Sequence, residues 1–336
     1  MIKVAINLLV NGMNLSESEI VECMKEIMEG MATDAQIGSF LTALRIKGET
    51  VEEITGAAKI MREKAITIKA PEGVLDTCGT GGDMSHTFNI STTTAIVVSA
   101  CGVPVAKHGN RSVSSQCGSA DVIEALGIKI DLPPEKVEKC LFETGFGFLF
   151  APLFHPAMRY AIGPRREMGI RTIFNILGPI TNPAGAKRQL LGVFSDSLTE
   201  KLAMVLGNLG AVDAMVIHGK DGLDEISISD ATKVSRFKDG EVQSFSIMPE
   251  DFGIVRSDID SIRGGNKEDN ASIVLSILNG ERGPKRDIVL MNSAAALIVA
   301  GKAEDFTTAL AIAAEVVDSG KVLRKLEEIK TVSNLL

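Results

Sequence analysis

The sequence predicts an α/β protein, with a small all-helical N-terminal domain followed by a large α/β domain whose mostly parallel central sheet is flanked by helices. About the first 65 residues carry only helical signals, whereas short apolar strands alternate with helices in the rest of the chain. The segment Ala70-Pro71-Glu72-Gly73 has the composition of a linker. We therefore expect a helical domain at 1–70 and an α/β domain at 71–336.

Capping boxes open three predicted helices in the first domain. Each has Ser or Thr at the N-cap and Glu or Gln three residues later, and the pairs are Ser16 with Glu19, Thr33 with Gln36, and Thr50 with Glu53. Apolar residues follow at helical spacing in all three segments. The pattern predicts three consecutive amphipathic helices.

Apolar runs of strand length alternate with helical patterns from residue 74 onward. The predicted strands are 74–78, 103–106, 128–130, 146–150, 190–194 and 213–218. The predicted helices are 91–100, 119–126, one that begins near Pro133, 197–209, and apolar helices over about the last 65 residues. Asp239-Gly240 lies between β-rich arms over 233–247, so we expect a hairpin there.

Composition argues against several classes of protein. The net charge is −8, and a non-specific nucleic-acid coat would instead need a basic surface. No run of about 18 apolar residues occurs, so the sequence predicts no membrane span. The five cysteines are scattered and include no Cys-x-x-Cys, which argues against a disulfide framework or a structural zinc site. A reducing, cytoplasmic location is therefore expected.

A glycine-rich loop, Gly79-Thr80-Gly81-Gly82-Asp83, follows the first predicted strand and precedes a helix. Backbone amides and a helix dipole converge on an anion at such a place, and glycines let the backbone approach a ligand closely. The loop is neither a Walker A motif nor a dinucleotide-binding fingerprint. It indicates a phosphate site, with a tight strand-to-helix turn as the alternative.

Two polar segments follow the glycine loop. Residues 89–94, Asn-Ile-Ser-Thr-Thr-Thr, open a helix, and their hydroxyls either cap the helix or bind phosphate and Mg²⁺. Residues 107–115, Lys-His-Gly-Asn-Arg-Ser-Val-Ser-Ser, follow an apolar strand, at the end where open α/β sheets bind ligands. Their lysine, arginine and small donors suit a pyrophosphate, and a solvated loop is the alternative.

Two charged groups lie later in the chain. Asp224-Glu225 follows a predicted strand, and adjacent carboxylates there suit Mg²⁺, with a solvated acidic loop as the alternative. Arg165 belongs to a basic, helix-like stretch and either holds a substrate carboxylate or forms part of a basic surface. No Ser-His-Asp order and no metal-spaced set of His and Cys is present.

Taken together, these segments resemble the anthranilate phosphoribosyltransferase family, which has the nucleoside phosphorylase-like transferase fold. The resemblance covers nearly the whole chain, and the number and order of the motifs make it specific. The matching segments are Asp76 to Asp83, Asn89 to Thr92, Lys107 to Ser115, Gly145 to Pro152, Arg171 to Pro179, Asn182-Pro183 and Asp221 to Glu225.

The resemblance implies transfer of the phosphoribosyl group of 5-phosphoribosyl 1-diphosphate to the amine of anthranilate, with release of pyrophosphate, in L-tryptophan biosynthesis. It implies Mg²⁺ as the cofactor, held by Ser91, Asp224 and Glu225, and anthranilate contacts from Gly79, Asn110 and Arg165. The residues implied for the sugar diphosphate are Gly79, Gly82, Asp83, Thr87, Asn89, Ile90, Ser91, Thr92, Lys107, His108, Gly109, Asn110, Arg111, Ser112, Val113, Ser114, Ser115 and Ser119.

The resemblance also implies a homodimer joined through the helical domains, and a helical domain that takes in helices from about 155–185. No nucleophile–base pair stands out, and an aromatic amine needs positioning more than activation. His108 is the candidate general base.

Two other functions were open to the sequence. A pyrimidine nucleoside phosphorylase shares the fold, but is expected to carry a different glycine string and an additional C-terminal domain. A relative that binds nucleic acid and has lost catalysis would be basic and would show erosion of Asp224-Glu225 or of the Lys107 cluster, yet the chain is acidic and both are intact. We expect neither a nucleic-acid nor a membrane partner.

Overall fold

The computed structural model describes residues 1–83, 85–111 and 117–336, and the strands in these ranges form one seven-stranded sheet. The strands are β1 (Leu75–Gly79), β2 (Val105–Gly109), β3 (Phe146–Phe150), β4 (Arg188–Gly192), β5 (Asp213–Gly219), β6 (Thr232–Lys238) and β7 (Glu241–Ile247). Their order is β3-β2-β1-β4-β5-β6-β7. The first five strands of the chain run parallel to one another, and β6 and β7 are antiparallel additions at one edge.

Fifteen α-helices lie in the described ranges, and none of them is long and apolar enough to cross a membrane. They are α1 (Ile2–Val10), α2 (Glu17–Met28), α3 (Asp34–Lys47), α4 (Val51–Lys64), α5 (Ile90–Ala100), α6 (Ser119–Ala125), α7 (Pro134–Thr144), α8 (Ala151–Phe154), α9 (Arg159–Met168), α10 (Phe174–Leu177), α11 (Ser197–Asn208), α12 (Lys267–Leu278), α13 (Pro284–Val299), α14 (Phe306–Asp318) and α15 (Lys321–Leu335). Together with the sheet they confirm the predicted fold class.

The N-terminal helices form a compact layer, α1 to α4. All three predicted capping boxes are present: Ser16, Thr33 and Thr50 accept a hydrogen bond from the backbone three residues on, and the Glu or Gln there accepts one in return. Phe40 and Ile54 are fully buried where the apolar faces meet. The sequence signals did not predict α1, because its N-cap Met1 makes no side-chain cap and the Ile2 N–H instead donates to Glu26, which is distant in the sequence.

Helices from the middle of the chain join this layer. α9 packs against α2 and α3, and α10 packs against α4. Ala161, Phe174 and Leu177 lie in the same hydrophobic core as the N-terminal helices. That core continues onto one face of the sheet through Cys78 and Leu191. α11 packs against β5 and β6 on this face and against α4 of the layer, so it joins the helical layer to the sheet.

The opposite face of the sheet carries the larger core. Leu75, Val105 and Leu190 point into it from three neighbouring strands. α5 packs against β1, and α13 packs against α5, α14 and the strands β4 and β5. Covering both faces with helices is the usual arrangement for parallel strands, which cannot leave a face open to water.

Two local predictions have different outcomes. The hairpin is confirmed, because β6 and β7 pair around Asp239 and Gly240, whose φ angles are 52° and 87°. The prediction of a strand at 128–130 is wrong, because these residues form no strand. The Lys129 N–H instead donates to Ser333 Oγ of α15 at 3.3 Å. Two buried isoleucines around an exposed lysine fit an extended segment against a helix as well as they fit a strand.

Candidate active site

The ends of β1 and β4 meet under the loop that follows β5. Their last residues, Gly79 and Gly192, are neighbours in the sheet. A Cβ on Gly79 would lie 2.4 Å from a carboxylate oxygen of Asp224, and a Cβ on Gly192 would lie 1.5 Å from the Asp224 carbonyl oxygen. Glycine at both positions therefore allows Asp224 to lie directly over the strand ends. Gly192 was not predicted as a site residue, because a single glycine after an apolar strand is typical of any strand end.

The glycine loop is held from two sides. The Gly81 N–H donates to the Asp224 carboxylate at 2.7 Å. From the helical layer, Arg171 donates to the Gly82 carbonyl oxygen while its guanidinium lies 4.5 Å from the ring centroid of Phe194. Gly81 and Gly82 have φ angles of 64° and 75°, the region that favours glycine. The role of Arg171 was not predicted either, since the contact joins residues 89 positions apart.

Asp83 and Thr87 lie in the same connection between β1 and α5. The Asp83 carboxylate accepts a hydrogen bond from the Ser85 N–H at 3.3 Å. Its charge also contributes to a raised pKa at Asp224, so the two carboxyls are close in space. Thr87 pairs with Arg263 in an isolated antiparallel bridge. The structure thus brings Gly79, Gly82, Asp83 and Thr87 together around one loop.

Asp224 and Glu225 lie between the glycine loop and the start of α5. Glu225 Oε1 accepts a hydrogen bond from the Ser91 N–H at 3.0 Å. Burial, and after it the charge of Asp83, raise the pKa of Asp224 to about 7. Burial also raises the pKa of Glu225 well above its usual range, with Asp224 as the second cause. Two carboxyls in this position are costly to ionise together unless a cation compensates.

The first turn of α5 faces this acidic pair. Asn89 stands at the N-cap, but its amide donates to the Cys117 carbonyl oxygen and does not cap the helix. Ile90 and Thr92 are buried, and Thr92 Oγ1 has no hydrogen-bond partner among the described residues. Ser91 is turned towards the site, with its N–H on Glu225.

Lys107 brings a buried positive charge to the same place. It is 1% exposed, near the end of β2, and its Nζ donates to the Thr77 carbonyl oxygen at 2.5 Å. The Ser91 Oγ accepts a second, longer hydrogen bond from it at 3.4 Å. The Lys107 charge lowers the pKa of Asp224 and of Glu225 against the larger effect of burial. Lysine, hydroxyl and carboxylates therefore form one electrostatic group.

His108 lies on the other face of β2, where it forms a pair with His155. The ring centroids are 5.0 Å apart, and Nε2 of His108 and both ring nitrogens of His155 have no hydrogen-bond partner among the described residues. Burial lowers the pKa of His108 to about 3, with His155 as a further cause, and lowers that of His155 to about 4. Both rings are neutral at pH 7, and His108 in this state is a weak proton acceptor.

We expect His155 to make the protein less stable in acid. Its pKa is about 4 when folded and about 6.5 when unfolded, so the unfolded chain binds more protons between these values. The stability contributed by the neutral ring is complete above pH 6.5, is lost as the pH falls towards 4, and has dropped by about 1.4 kcal/mol at pH 5.5. Urea unfolding of the wild type and of His155→Phe at pH 7.5 and 5.5 measures this loss in the free energy of unfolding. The variant should lose about 1.4 kcal/mol less than the wild type, and equal losses would contradict the expectation.

Gly109, Asn110 and Ser119 meet beyond the end of β2. The Asn110 N–H donates to Ser119 Oγ at 3.1 Å, and the same hydroxyl donates to the Asn110 carbonyl oxygen at 3.2 Å. A Cβ on Gly109 would lie 2.3 Å from that hydroxyl. These three predicted residues therefore form one turn that fixes the direction of the chain after β2.

Arg111 bonds to α6 in this structure. Its guanidinium forms ion pairs with Asp121 at 2.7 Å and with Glu124 at 3.0 Å, and lies 5.9 Å from the ring centroid of Phe150. Arg111 therefore contacts α6 and Phe150 of β3, and not the acidic pair Asp224–Glu225. The predicted residues Ser112, Val113, Ser114 and Ser115 lie outside the described residues.

Arg165 enters from the helical layer, on α9. Its half-buried guanidinium lies 5.2 Å from the ring centroid of Phe174, and burial lowers its pKa. No ion pair joins it to an acidic side chain within residues 1–83, 85–111 and 117–336. A guanidinium on an aromatic ring without an acidic partner is suited to bind a planar carboxylate.

Comparison with known proteins identifies relatives over the whole chain. Residues 3–65 match the family model described as "Glycosyl transferase family, helical bundle domain", and residues 71–323 match "Glycosyl transferase family, a/b domain". An anthranilate phosphoribosyltransferase of Acetivibrio thermocellus is 58% identical over 335 residues, which cover 99% of this chain and 97% of that protein.

Two solved structures agree with this sequence match. The anthranilate phosphoribosyltransferase of Thermus thermophilus has a TM-score of 0.93 and 40% identity, with 98% of this chain and 99% of that chain covered. The Saccharomyces cerevisiae enzyme in complex with PRPP and Mg has a TM-score of 0.90 and 28% identity, with 100% and 98% covered. The same yeast enzyme has also been solved in complex with 4-fluoroanthranilate.

Proposed function

The chain belongs to the anthranilate phosphoribosyltransferase family, and we propose which of its residues bind the two substrates and Mg²⁺. The enzyme transfers the phosphoribosyl group of 5-phosphoribosyl 1-diphosphate (PRPP) to the amine of anthranilate in L-tryptophan biosynthesis, and yields N-(5-phosphoribosyl)anthranilate and pyrophosphate. The observation that carries the site assignment is the meeting of the glycine loop, Lys107 and the Asp224–Glu225 pair at the strand ends.

The PRPP site is proposed to lie between the glycine loop and the end of β2. The left-handed backbone at Gly81 and Gly82 supports this, because such turns direct amides towards an anion. Lys107 and the first turn of α5 add a buried cation and a helix N-terminus on the same side. The remaining residues implied for PRPP in 87–92, 107–115 and at Ser119 stay predictions for the same site.

Mg²⁺ is proposed to bind Asp224, Glu225 and the Ser91 hydroxyl. In the described part of the chain, no three His, Cys, Asp or Glu side chains come together as a complete metal site. An incomplete protein site suits Mg²⁺, which takes one or two carboxylates and draws its other ligands from water and substrate phosphates. The raised pKa values of both carboxyls support the assignment, because a cation relieves the cost of their charge. When bound, Mg²⁺ neutralises charge on the departing pyrophosphate.

The anthranilate site is proposed to lie between the helical layer and the sheet. Arg165 would bind the carboxylate from the helical side, and Gly79 and Asn110 would contact the ring from the strand ends. This requires a helical domain made of residues 1–70 and helices from 155–185, with 71–336 otherwise forming the α/β domain. The packing of α9 and α10 against α2, α3 and α4 supports that division.

Positioning and charge account for the chemistry in this proposal. The anthranilate nitrogen forms a bond to the anomeric carbon as the carbon–oxygen bond to pyrophosphate breaks, and the nitrogen then loses a proton. Lys107 stabilises the negative charge that develops on the leaving group. The aromatic amine is nucleophilic without activation, so a weak acceptor such as the neutral His108 ring is sufficient for a late proton transfer.

Arg165→Ala should raise the KM for anthranilate roughly 10- to 100-fold, because a charged hydrogen bond to a carboxylate contributes about 1.5–3 kcal/mol. The KM for PRPP should change much less. Steady-state kinetics with each substrate varied in turn measures both values. Arg166→Ala is the matched control, since Arg166 is the exposed neighbour on the same helix. An increase confined to the KM for PRPP would remove Arg165 from the anthranilate site.

The reaction itself is tested by mixing the purified protein with anthranilate, PRPP and Mg²⁺ and following the loss of anthranilate fluorescence. We expect turnover that requires all three components. A folded, Mg²⁺-loaded sample without turnover would overturn the proposed function.

We also propose a cytoplasmic homodimer joined through the helical layer. Val4 and Val10 on α1 and Ile46 on α3 are 57%, 71% and 81% exposed, which is unfavourable for a surface in contact with water. None of the five cysteines forms a disulfide in the described structure, which fits a reducing compartment. Sedimentation equilibrium should give about twice the chain mass of 35.7 kDa.

A further inference from the structure

The hydrogen-bonded ladder between β1 and β2 stops after its first pair. β1 pairs with β4 at five positions, and β2 pairs with β3 at five, but β1 and β2 share a single pair, Leu75 opposite Val105, in the described structure. We call the gap beyond this pair the β1–β2 split. It opens towards the glycine loop on one strand and towards the segment that begins at Lys107 on the other. The split therefore separates the two arms of the proposed PRPP site.

Two charged side chains cross the β1–β2 split in opposite directions. Asp76 of β1 accepts a hydrogen bond from the His108 backbone N–H of β2 at 3.3 Å. Lys107 of β2 donates to the Thr77 carbonyl oxygen of β1 at 2.5 Å. Because successive side chains of a strand point to opposite faces, the Lys107 bond lies on the α5 face and the Asp76 bond on the face of the helical layer. Each strand is thus attached to the backbone of the other.

Neighbouring amide side chains complete this connection. Asn182 donates to the Ala106 carbonyl oxygen at 2.8 Å, a group that a regular ladder would have paired. Gln189 of β4 donates to the Pro179 carbonyl oxygen at 2.7 Å and lies 3.4 Å from Asp76 Oδ2. Side chains therefore bond to three backbone groups along the split, which are the Thr77 and Ala106 carbonyl oxygens and the His108 N–H.

Use of the Asp76 carboxylate to accept one backbone N–H carries a large desolvation cost. It is fully buried, and burial raises its pKa, with the Lys107 charge acting in the opposite direction. An isolated carboxylate in such a place lowers stability unless its partners compensate, and an ordinary ladder bond would satisfy the same amide without a charge. No role has been given to Asp76 in binding either substrate. A positional role would account for it.

We propose that Asp76 is a positioning residue that, together with Lys107, sets the separation of the two strand ends that hold the diphosphate of PRPP. A continuous ladder would fix neighbouring strands at about 4.8 Å along their whole length. The crossed side chains replace that spacing only where the ligand binds. The inference rests on the proposed function, because it requires the diphosphate to bind between these two ends.

Asp76→Asn tests the inference, since it keeps the shape of the side chain but removes its attraction to Lys107 and leaves a weaker, neutral acceptor for the His108 N–H. We expect a higher KM for PRPP and a lower kcat, so that kcat/KM for PRPP falls roughly 100-fold, as for a misplacement of about 1 Å at a reacting centre. The KM for anthranilate should rise much less. Calorimetric titration of the folded variant with pyrophosphate and Mg²⁺ should show binding weakened roughly 10-fold or more.

Asp213→Asn is the matched control. Asp213 is also a buried carboxylate, 2% exposed, but it is paired with Arg236 at 2.6 Å at the start of β5, away from the strand ends. The Asp213→Asn variant should have a lower melting temperature, with both KM values and pyrophosphate binding unchanged. If Asp76→Asn behaves in the same way as this control, the inference is wrong. A wild-type enzyme without turnover would instead refute the proposed function.

Gln189→Met provides a second route if Asp76→Asn does not fold. It removes the amide next to Asp76 Oδ2 and leaves β1 and β2 intact. A rise in the KM for PRPP, smaller than that expected for Asp76→Asn, supports the inference. An unchanged KM for PRPP and unchanged pyrophosphate binding contradict it.

Discussion

Asp224→Asn combined with Glu225→Gln is expected to lower kcat/KM roughly 1,000-fold and to remove most of its dependence on Mg²⁺, because about 4 kcal/mol of charge stabilisation is lost with the cation. The amides keep an oxygen for the Gly81 and Ser91 backbone N–H groups, so the loop contacts can persist. Initial rates over a Mg²⁺ titration, followed by anthranilate fluorescence, measure both effects.

The same double variant should melt no lower than the wild type when Mg²⁺ is absent. Burial disfavours the charged forms of both carboxyls, and the amides have no charge to bury. Asp230→Asn, which removes a carboxylate that pairs with Arg256, is the control and should keep full activity. A double variant that retained the Mg²⁺ response of the wild type would exclude these residues as ligands.

Gly192→Ala should lower kcat/KM roughly 100-fold through displacement of Asp224. The added methyl group would lie 1.5 Å from the Asp224 carbonyl oxygen and 2.4 Å from its carbonyl carbon, and backbone atoms cannot move aside cheaply. We also expect a loss of about 1–3 kcal/mol in the free energy of unfolding, which is typical of overpacking. Steady-state kinetics and urea unfolding measure the two effects separately.

Gly38→Ala is the control for a glycine in an ordinary position. Gly38 lies inside α3, and among the described residues a Cβ there would meet only Met168 Sδ, at 3.8 Å. This change should leave the kinetics intact and add up to about 1 kcal/mol of stability, because alanine favours a helix over glycine. Full activity of Gly192→Ala would show that the 224–225 loop tolerates displacement.

Local chemistry in the sequence predicted a large part of this structure. The three capping boxes predicted the starts of α2, α3 and α4, because each box is closed by residues three positions apart. The Asp239-Gly240 pair predicted the hairpin for the same reason, since the turn depends on the φ angles of two adjacent residues. The glycine loop was found because glycine density after a strand is itself a local signal.

Local sequence signals could not predict contacts between residues that are far apart in the chain. Gly192 and Asp224 are not neighbours in the sequence, and the need for glycine appears only when the loop after β5 is placed on β4. In the sequence Arg171 cannot be distinguished from other basic residues, because its contact with Gly82 forms only when α9 and α10 have packed. The missing ladder between β1 and β2 could not be predicted either, because Asp76 and Lys107 stand inside short strands and no local signal shows that they bond to the neighbouring strand. The sequence predicted candidate residues at the strand ends, and those residues stay predictions, whereas the packing around them could not be predicted.

The position of β1 in the sheet has a consequence for biosynthesis. Its two neighbours are β2, which follows soon after, and β4, whose Gln189 is 113 residues later than Asp76. At 5–20 residues per second, the ribosome needs about 6 to 23 s to deliver that second partner. During this time the growing chain exposes the open edge of a strand that is buried in the finished fold, and such an edge is prone to pair with other chains. Cotranslational protection by chaperones is therefore most valuable between the emergence of residue 79 and that of residue 192.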